Sequence, residues 1–238
     1  MNWEFRGRES RKHSKHRNEG ISDRNRRFLQ EMGTGQQIAG FILAGGASSR
    51  MGRDKALLEL GGVPLIVCTA RLVASVVGPA TVIGDSAAFR SLGLRTIVDD
   101  WPGAGPLGGI ATALRASGAL WSLVVACDLP YLTRPWLEYA VARALASQAD
   151  AVIPMNVSGT EPLCALYHQR AEPSIRNALL LGNRKVKNAV EDLRVEIIEP
   201  SEWKAFDSEG YLFKNMNAPS DYEEARARLD GGADPARK

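Results

Sequence analysis

The chain has 238 residues, of which 45% are hydrophobic and 24% charged, the composition of a water-soluble globular protein with room for one sizeable core. Its net charge of +3 is unevenly spread: residues 1–31 carry nine Lys/Arg against five Asp/Glu, so the remainder is close to neutral at −1. No apolar run approaches the roughly 20 residues of a membrane span, and the basic N-terminus lacks the apolar stretch of a secretory signal, so a cytoplasmic protein is expected.

Residues 1–37 show no sustained period and few apolar anchors, and are expected to be a disordered basic leader. Met32 stands just before the change of texture, so residues 1–31 are expected to be dispensable, and an upstream extension from a misassigned start is one origin for them. From Ile38, "IAGFILA" reads as a strand buried on both faces. "PLIVCTARLVASV" has helical spacing, "PATVIG" reads as a strand, "AAFRSLG" as a short helix and "RTIVDD" as a third strand. "GPLGGIATALRASG" is a glycine-led helix, "WSLVVACDLP" the strongest strand, "TRPWLEYAVARALASQ" a helix and "ADAVIPM" a strand. The last third is less regular. "EPLCALYHQ" is read as a strand, "AEPSIRNALLLGN" and "KVKNAVEDL" as helices, and "RVEIIEP" as a strand. "GYLFKNMNAPSDYEEARARL" reads as strand, turn and closing helix capped near Ser220, before a frayed tail at 230–238. This alternation predicts a single three-layer α/β domain over 38–229 with a mostly parallel sheet.

Little of the usual catalytic inventory is present. Cys68, Cys127 and Cys164 form no CxxC-like pair and sit in apolar contexts, as buried thiols do. His13 and His16 lie in the leader, which leaves His168 alone in the body and excludes a histidine-based triad or a multi-histidine metal site.

Ligands of parallel α/β sheets bind beyond the carboxyl ends of the strands. Here three predicted strands end in Gly45-Gly46, in Asp99-Asp100 and in Asp128-Leu129-Pro130. The first loop is neither a Walker sequence nor a GxGxxG fingerprint. The same physics applies nonetheless: glycines let backbone N–H groups approach phosphate oxygens, and Arg50, Arg53 and Lys55 add positive charge. Taken alone, the two glycines also suit an ordinary strand-to-helix turn. Asp128 suits a turn before Pro130 or a cation ligand, and the apolar strand ahead of it favours the ligand.

The whole string "LAGGASSRMGRDKALLELGGVPLI" is more specific. It resembles the signature of nucleotidyltransferases with a dinucleotide-fold-like (Rossmann-like) catalytic domain, the group that includes the sugar-nucleotide pyrophosphorylases. Its Arg-Met-Gly-x-Asp-Lys form is most similar to the molybdenum cofactor guanylyltransferases. "GPLGGI", "ACDLPYL", "EPLCALY" and "NMNAPSDY" follow in that family's order, so the resemblance spans 38 to about 229 and leaves out the leader.

The resemblance implies transfer of GMP from GTP to the phosphate of molybdenum-loaded molybdopterin, with Mg²⁺ as cofactor and pyrophosphate as by-product. It implies that Leu43, Ala44, Gly45 and Gly46 hold the nucleotide through the backbone, that Lys55 and Arg50 meet phosphates, and that Asp99 contacts the nucleotide. Asp128 would bind Mg²⁺, and Asn215 and Asn217 would lie toward the pterin. The family's nucleotide-contacting asparagine after the second strand is replaced in "VIGDSAAF", where Gly84 and Asp85 are the alternatives. The glycines of "GPLGGI" fit either ligand approach to a helix N-terminus or close packing. Arg184-Lys185-Lys187 fits either a solvated helix face or a contact for the pterin phosphate. Cofactor-biosynthesis or acceptor proteins are implied partners; nucleic acid and membrane are not. The rival readings are a cytidylyltransferase on the same or another small phosphate ester, and a catalytically silent nucleotide or cofactor carrier.

Overall fold

The computed structural model describes residues 37–44, 54–84 and 86–231. Strand β1 (Ile38–Leu43) lies at the centre of the main sheet, between β4 (Ala80–Ile83) and β6 (Trp121–Ala126), parallel to both. Beyond β4 comes the edge strand β5 (Arg95–Ile97), also parallel. Beyond β6 come β9 (Cys164–His168), β7 (Ala151–Asn156) and β10 (Val195–Ile198), giving the order β10-β7-β9-β6-β1-β4-β5. Strand β9 runs antiparallel to both of its neighbours, and the other six share one direction. A two-residue strand β8 (Gly159–Thr160) pairs back onto β7.

The burial pattern explains the strand texture. All six residues of β6 are buried, because helices cover both faces of the sheet. On one face α1 (Leu65–Val77) and α4 (Arg134–Ala146) pack Ile66, Val73, Trp136 and Leu137 against Ile42, Leu123 and Val125. On the other, α3 (Pro106–Ala116) and α5 (Glu172–Leu180) pack Leu107, Ile110, Ile175 and Leu179 against Phe41 and Val124. Full burial of such side chains stabilises by about 1.5–3 kcal/mol each. The expected three-layer arrangement is present.

Several elements differ from the sequence reading. A short hairpin, β2 (Glu59–Leu60) and β3 (Val63–Pro64), turns on Gly61 and Gly62, both at positive φ, where only glycine is unstrained. "KVKNAVEDL" yields only α6 (Val186–Ala189), whereas α2 (Ala87–Ser91) is the short helix expected from "AAFRSLG". "GYLF" is not a strand: the Asp207 carboxylate accepts the N–H groups of Glu209, Gly210 and Leu212 and winds the segment into a turn. Leu212 and Phe213 are buried as anchors, with Phe213 edge-on to Trp136 and Trp203. After the four-residue α7 (Pro200–Trp203), the closing helix is α8 (Pro219–Gly231). Asp221, rather than Ser220, takes the free amides at its start, accepting from Asn217 N at 2.8 Å and Ala218 N at 2.7 Å. Cys127 and Cys164 are buried as expected, but Cys68 is only partly so.

Candidate active site

Chain order reverses at β1: the path runs outward through β4 and β5, then returns to β6 on the other side. The crevice beyond the carboxyl ends of β1 and β6 is therefore the position where this architecture takes ligands. Leu43 and Ala44 stand at its rim. Leu43 O accepts from Cys127 N at 3.2 Å, and Ala44 N donates to Ile83 O at 3.1 Å, so this end of β1 is tied on both sides. Gly45, Gly46 and Arg50, expected to hold phosphates, lie outside the described residues, as does Asp85.

Lys55 opens a single 3₁₀ turn, Lys55–Leu57, capped by Asp54, whose carboxylate accepts from Ala56 N at 3.0 Å. Its ammonium donates to Asn217 Oδ1 at 3.1 Å, across 162 positions of sequence. Asp128 follows β6 by two residues and is half-buried. Burial raises its carboxyl pKa above the ordinary carboxylate value, and the positive charge of Lys55 pulls it back down. The Asp128 carbonyl accepts from Met216 N at 2.9 Å, so the Asn-Met-Asn segment is fastened directly to the end of β6. Lys55, Asp128 and Asn217 thus come together; Asn215 is exposed on the same segment.

Asp99 is less directly placed. It follows the edge strand β5, separated from β1 by β4, and its Oδ1 accepts from Trp101 N at 3.0 Å and from the Thr112 hydroxyl at 2.8 Å. Its neighbour Asp100 is paired with Arg115. Gly84 ends β4 at φ +130°, and a Cβ there would lie 2.3 Å from the Ala44 carbonyl oxygen. The side-chain contact expected after the second strand cannot come from this glycine. In "GPLGGI", Gly108 and Gly109 pack closely: a Cβ would meet Trp101 at 2.9 Å and Leu43 at 2.8 Å, respectively. Close packing therefore accounts for both. Arg184, Lys185 and Lys187 are exposed beside α6.

One carboxylate was underweighted by sequence reasoning. Glu161 precedes β9, whose antiparallel pairing with β6 continues past the strands through Ala126 N to Leu163 O at 2.7 Å. This carries the Glu161–Leu163 loop alongside Asp128. Glu161 accepts a hydrogen bond from Asn156 Nδ2, and its carboxyl is pushed up to about 7 by burial first and by the charge of Asp128 second. The only sequence signal was the tripeptide Glu-Pro-Leu. His168 sits at the opposite end of the sheet, edge-on to Trp121 at 5.0 Å, and belongs to no site.

Among the described residues, no group of three or more His, Cys, Asp or Glu side chains assembles to cage a metal. Asp128 is a single half-buried carboxylate at the rim of the sheet, and one or two such carboxylates are what a hard cation takes when waters and ligand phosphates complete its shell. No helix among the described residues is long and apolar enough to cross a membrane.

Comparison with known proteins gives the family of the domain. Residues 40–197 match the family model for the MobA-like NTP transferase domain. A relative from Pelotomaculum thermopropionicum, named probable molybdenum cofactor guanylyltransferase, is 33% identical over 196 residues, covering 82% of this chain and 94% of that protein. One of the same name from Carboxydothermus hydrogenoformans is 31% identical, covering 79% and 94%. The crystal structure of molybdopterin-guanine dinucleotide biosynthesis protein A from Archaeoglobus fulgidus superposes with a TM-score of 0.72 at 27% identity, over 82% of this chain and all of that one. The fold alone is shared with 2-C-methyl-D-erythritol 4-phosphate cytidylyltransferase from Thermus thermophilus, at TM-score 0.60 and 17% identity, over 82% and 99% of the two chains. The three-layer architecture, a family match over residues 40–197 and relatives covered over nearly their whole length lead to one assignment: the chain belongs to the family of MobA-like NTP transferase domains.

Proposed function

We propose that this protein transfers GMP from GTP to the terminal phosphate of molybdenum-loaded molybdopterin, releasing pyrophosphate and forming the guanine dinucleotide cofactor. The observation that carries the reading is the convergence of Lys55, Asp128 and Asn217 at the switch point of the sheet. The catalytic unit is residues 38–229, acting in the cytoplasm, where its cofactor-biosynthesis and acceptor partners would meet it.

The acceptor phosphate oxygen attacks the α-phosphorus of GTP; a new P–O bond forms as the bond from Pα to the bridging oxygen of pyrophosphate breaks. The nucleophile is already an anion at neutral pH, so no strong general base is needed. The protein must align two anions and neutralise charge that shifts onto the leaving group. Backbone groups from Leu43 to Gly46 hold the nucleotide, and Lys55 and Arg50 face its phosphates. Asp99 lies on the nucleotide side and Asn215 and Asn217 on the pterin side. Asp128 would hold Mg²⁺, which would supply Lewis-acid neutralisation of the phosphates. Arg184, Lys185 and Lys187 are either a solvated face or a contact for the pterin phosphate.

The test is pyrophosphate release with molybdenum-loaded molybdopterin and Mg²⁺ across GTP, CTP, ATP and UTP. Selective turnover of GTP is the expected result, because a site built on a base's polar edge leaves buried groups unpaired with the wrong base. Equal or better turnover with CTP would make it a cytidylyltransferase, and no turnover with any nucleotide would leave a carrier.

A further inference from the structure

Asn217 is exposed, so packing does not hold its side chain, yet its carboxamide oxygen meets the Lys55 ammonium at 3.1 Å. What fixes it is the backbone around it. Met216 N is bonded to Asp128 O at 2.9 Å, and the Met216 side chain is buried against Leu60, Leu65 and Ala225. Tyr222 donates its hydroxyl to Glu59 O at 2.9 Å, fastening the first turn of α8 to the β2–β3 hairpin. Between these two anchors, one oxygen of Asp221 accepts both Asn217 N and Ala218 N. Without that carboxylate, the residue bearing the amide has no side chain holding its N–H.

We propose that Asp221 is a positioning residue of the transfer reaction: by gripping the Asn217 and Ala218 amides it aims the Asn217 oxygen at Lys55 and presets the lysine for the triphosphate. The inference rests on the guanylyltransferase reading above and deepens it, since the segment on the pterin side then also governs the nucleotide side. An ammonium on four rotatable bonds is poorly preorganised by itself. It carries three donors, so the bond to Asn217 leaves two for phosphate oxygens. The depressed carboxyl pKa of Asp221, caused first by the Ala218 and Asn217 amides, agrees with a carboxylate that stays ionised in this role.

The experiment measures GTP affinity at equilibrium with Mg²⁺ and no pterin, together with KM and kcat, for Asp221→Ala, Asp221→Asn, Asn217→Ala and the double variant Asp221→Ala/Asn217→Ala. All are assayed well below their thermal midpoints. Asp221→Ala is expected to weaken GTP binding about tenfold, the scale of one or two lost hydrogen bonds. Asp221→Asn, which keeps an acceptor oxygen, is expected to retain most of the affinity. The double variant should be no worse than Asn217→Ala alone, because Asp221 acts through Asn217. A mere helix cap would lower the thermal midpoint of Asp221→Ala and leave GTP affinity unchanged, which overturns the inference. So does strict additivity in the double variant. Failure of the underlying reading is distinct: the wild-type protein would then show no GTP-selective turnover at all.

Discussion

Gly84→Ala probes the architecture where the donor side is built. The substitution adds one methyl carbon 2.3 Å from the Ala44 carbonyl oxygen and 3.2 Å from its carbon. Relieving that contact takes a displacement of nearly 1 Å. Neither partner yields freely: Ala44 N is bonded to Ile83 O at 3.1 Å, and Gly84 N to Ile97 O at 3.0 Å. The backbone at φ +130° adds a strain of about 1–3 kcal/mol for any side chain. Loss of one backbone hydrogen bond adds about 1 kcal/mol, and the stiffer unfolded chain returns roughly 0.4–1 kcal/mol. The expected net destabilisation is about 1–3.5 kcal/mol, a fall of roughly 2–14 °C in thermal midpoint for a domain of this size. Gly93→Ala is the control, because Gly93 also has positive φ (+74°) but a Cβ there meets nothing within 4 Å. It should cost only the dihedral term, about 1 kcal/mol. Urea unfolding of the three proteins gives the comparison, and GTP titration should show weaker binding for Gly84→Ala alone, since the proposed function puts Ala44 among the backbone groups that hold the nucleotide. If Gly84→Ala unfolds within about 0.5 kcal/mol of Gly93→Ala and binds GTP normally, the β4–β1 contact is not the constraint described.

Asp128→Ala and Lys55→Ala are each expected to lower turnover about 10²–10³-fold while the fold persists, the usual scale for removing one electrostatic contact to a reacting phosphate; near-normal activity of Asp128→Ala at saturating Mg²⁺ would refute the metal role. Glu161, with its carboxyl at about 7 in the fold against 4.5 unfolded, binds its proton more tightly when folded. Its contribution to stability is therefore full below pH 4.5 and lost as pH rises through about 7. For a half-exposed group the loss is about 1–2 kcal/mol after allowing for solvent screening. Glu161→Gln should flatten the stability profile between those pH values, and an unchanged profile in urea midpoints would count against it. Tyr167 is fully buried in β9 and donates its hydroxyl to Pro162 O at 2.8 Å, so Tyr167→Phe should cost about 1 kcal/mol or slightly more and loosen the Glu161 loop; hydrogen exchange at Leu163 and Cys164 reads the second effect.

Elements whose apolar residues follow one clear period were legible in the sequence. β1, β6, α1, α3 and α4 all appear where "IAGFILA", "WSLVVA" and the helical stretches place them, and Lys55 and Asp128 lie at the expected edge. The direction of β9 was not legible, because "CALYH" is buried on both faces and its pattern carries no polarity. "GYLF" misled for a related reason: Leu212 and Phe213 are as buried as strand residues, but the amides of Glu209, Gly210 and Leu212 donate to the Asp207 carboxylate rather than to a ladder. Local propensity cannot report which acceptor wins. The bond from Lys55 to Asn217 joins residues that only the complete topology brings together.

The direction of β9 also decides what the site is made of. A parallel strand in that position would send a crossover away from the crevice and offer only its carboxyl end. Running antiparallel, β9 begins at the site end of the sheet, so the loop leading into it, Glu161–Leu163, lies against the residues that follow β6. Asp128 is consequently flanked by two different surfaces. On one side is the rim of β1 with Lys55 and its positive charge, and on the other a half-buried carboxyl held by Asn156. Lys55 and the Glu161 carboxyl thus give Asp128 different electrostatic surroundings on its two flanks. The division comes from strand direction and not from any one motif, which is why the glycine-rich string, though the most specific in the sequence, carried no sign of Glu161 beside Asp128.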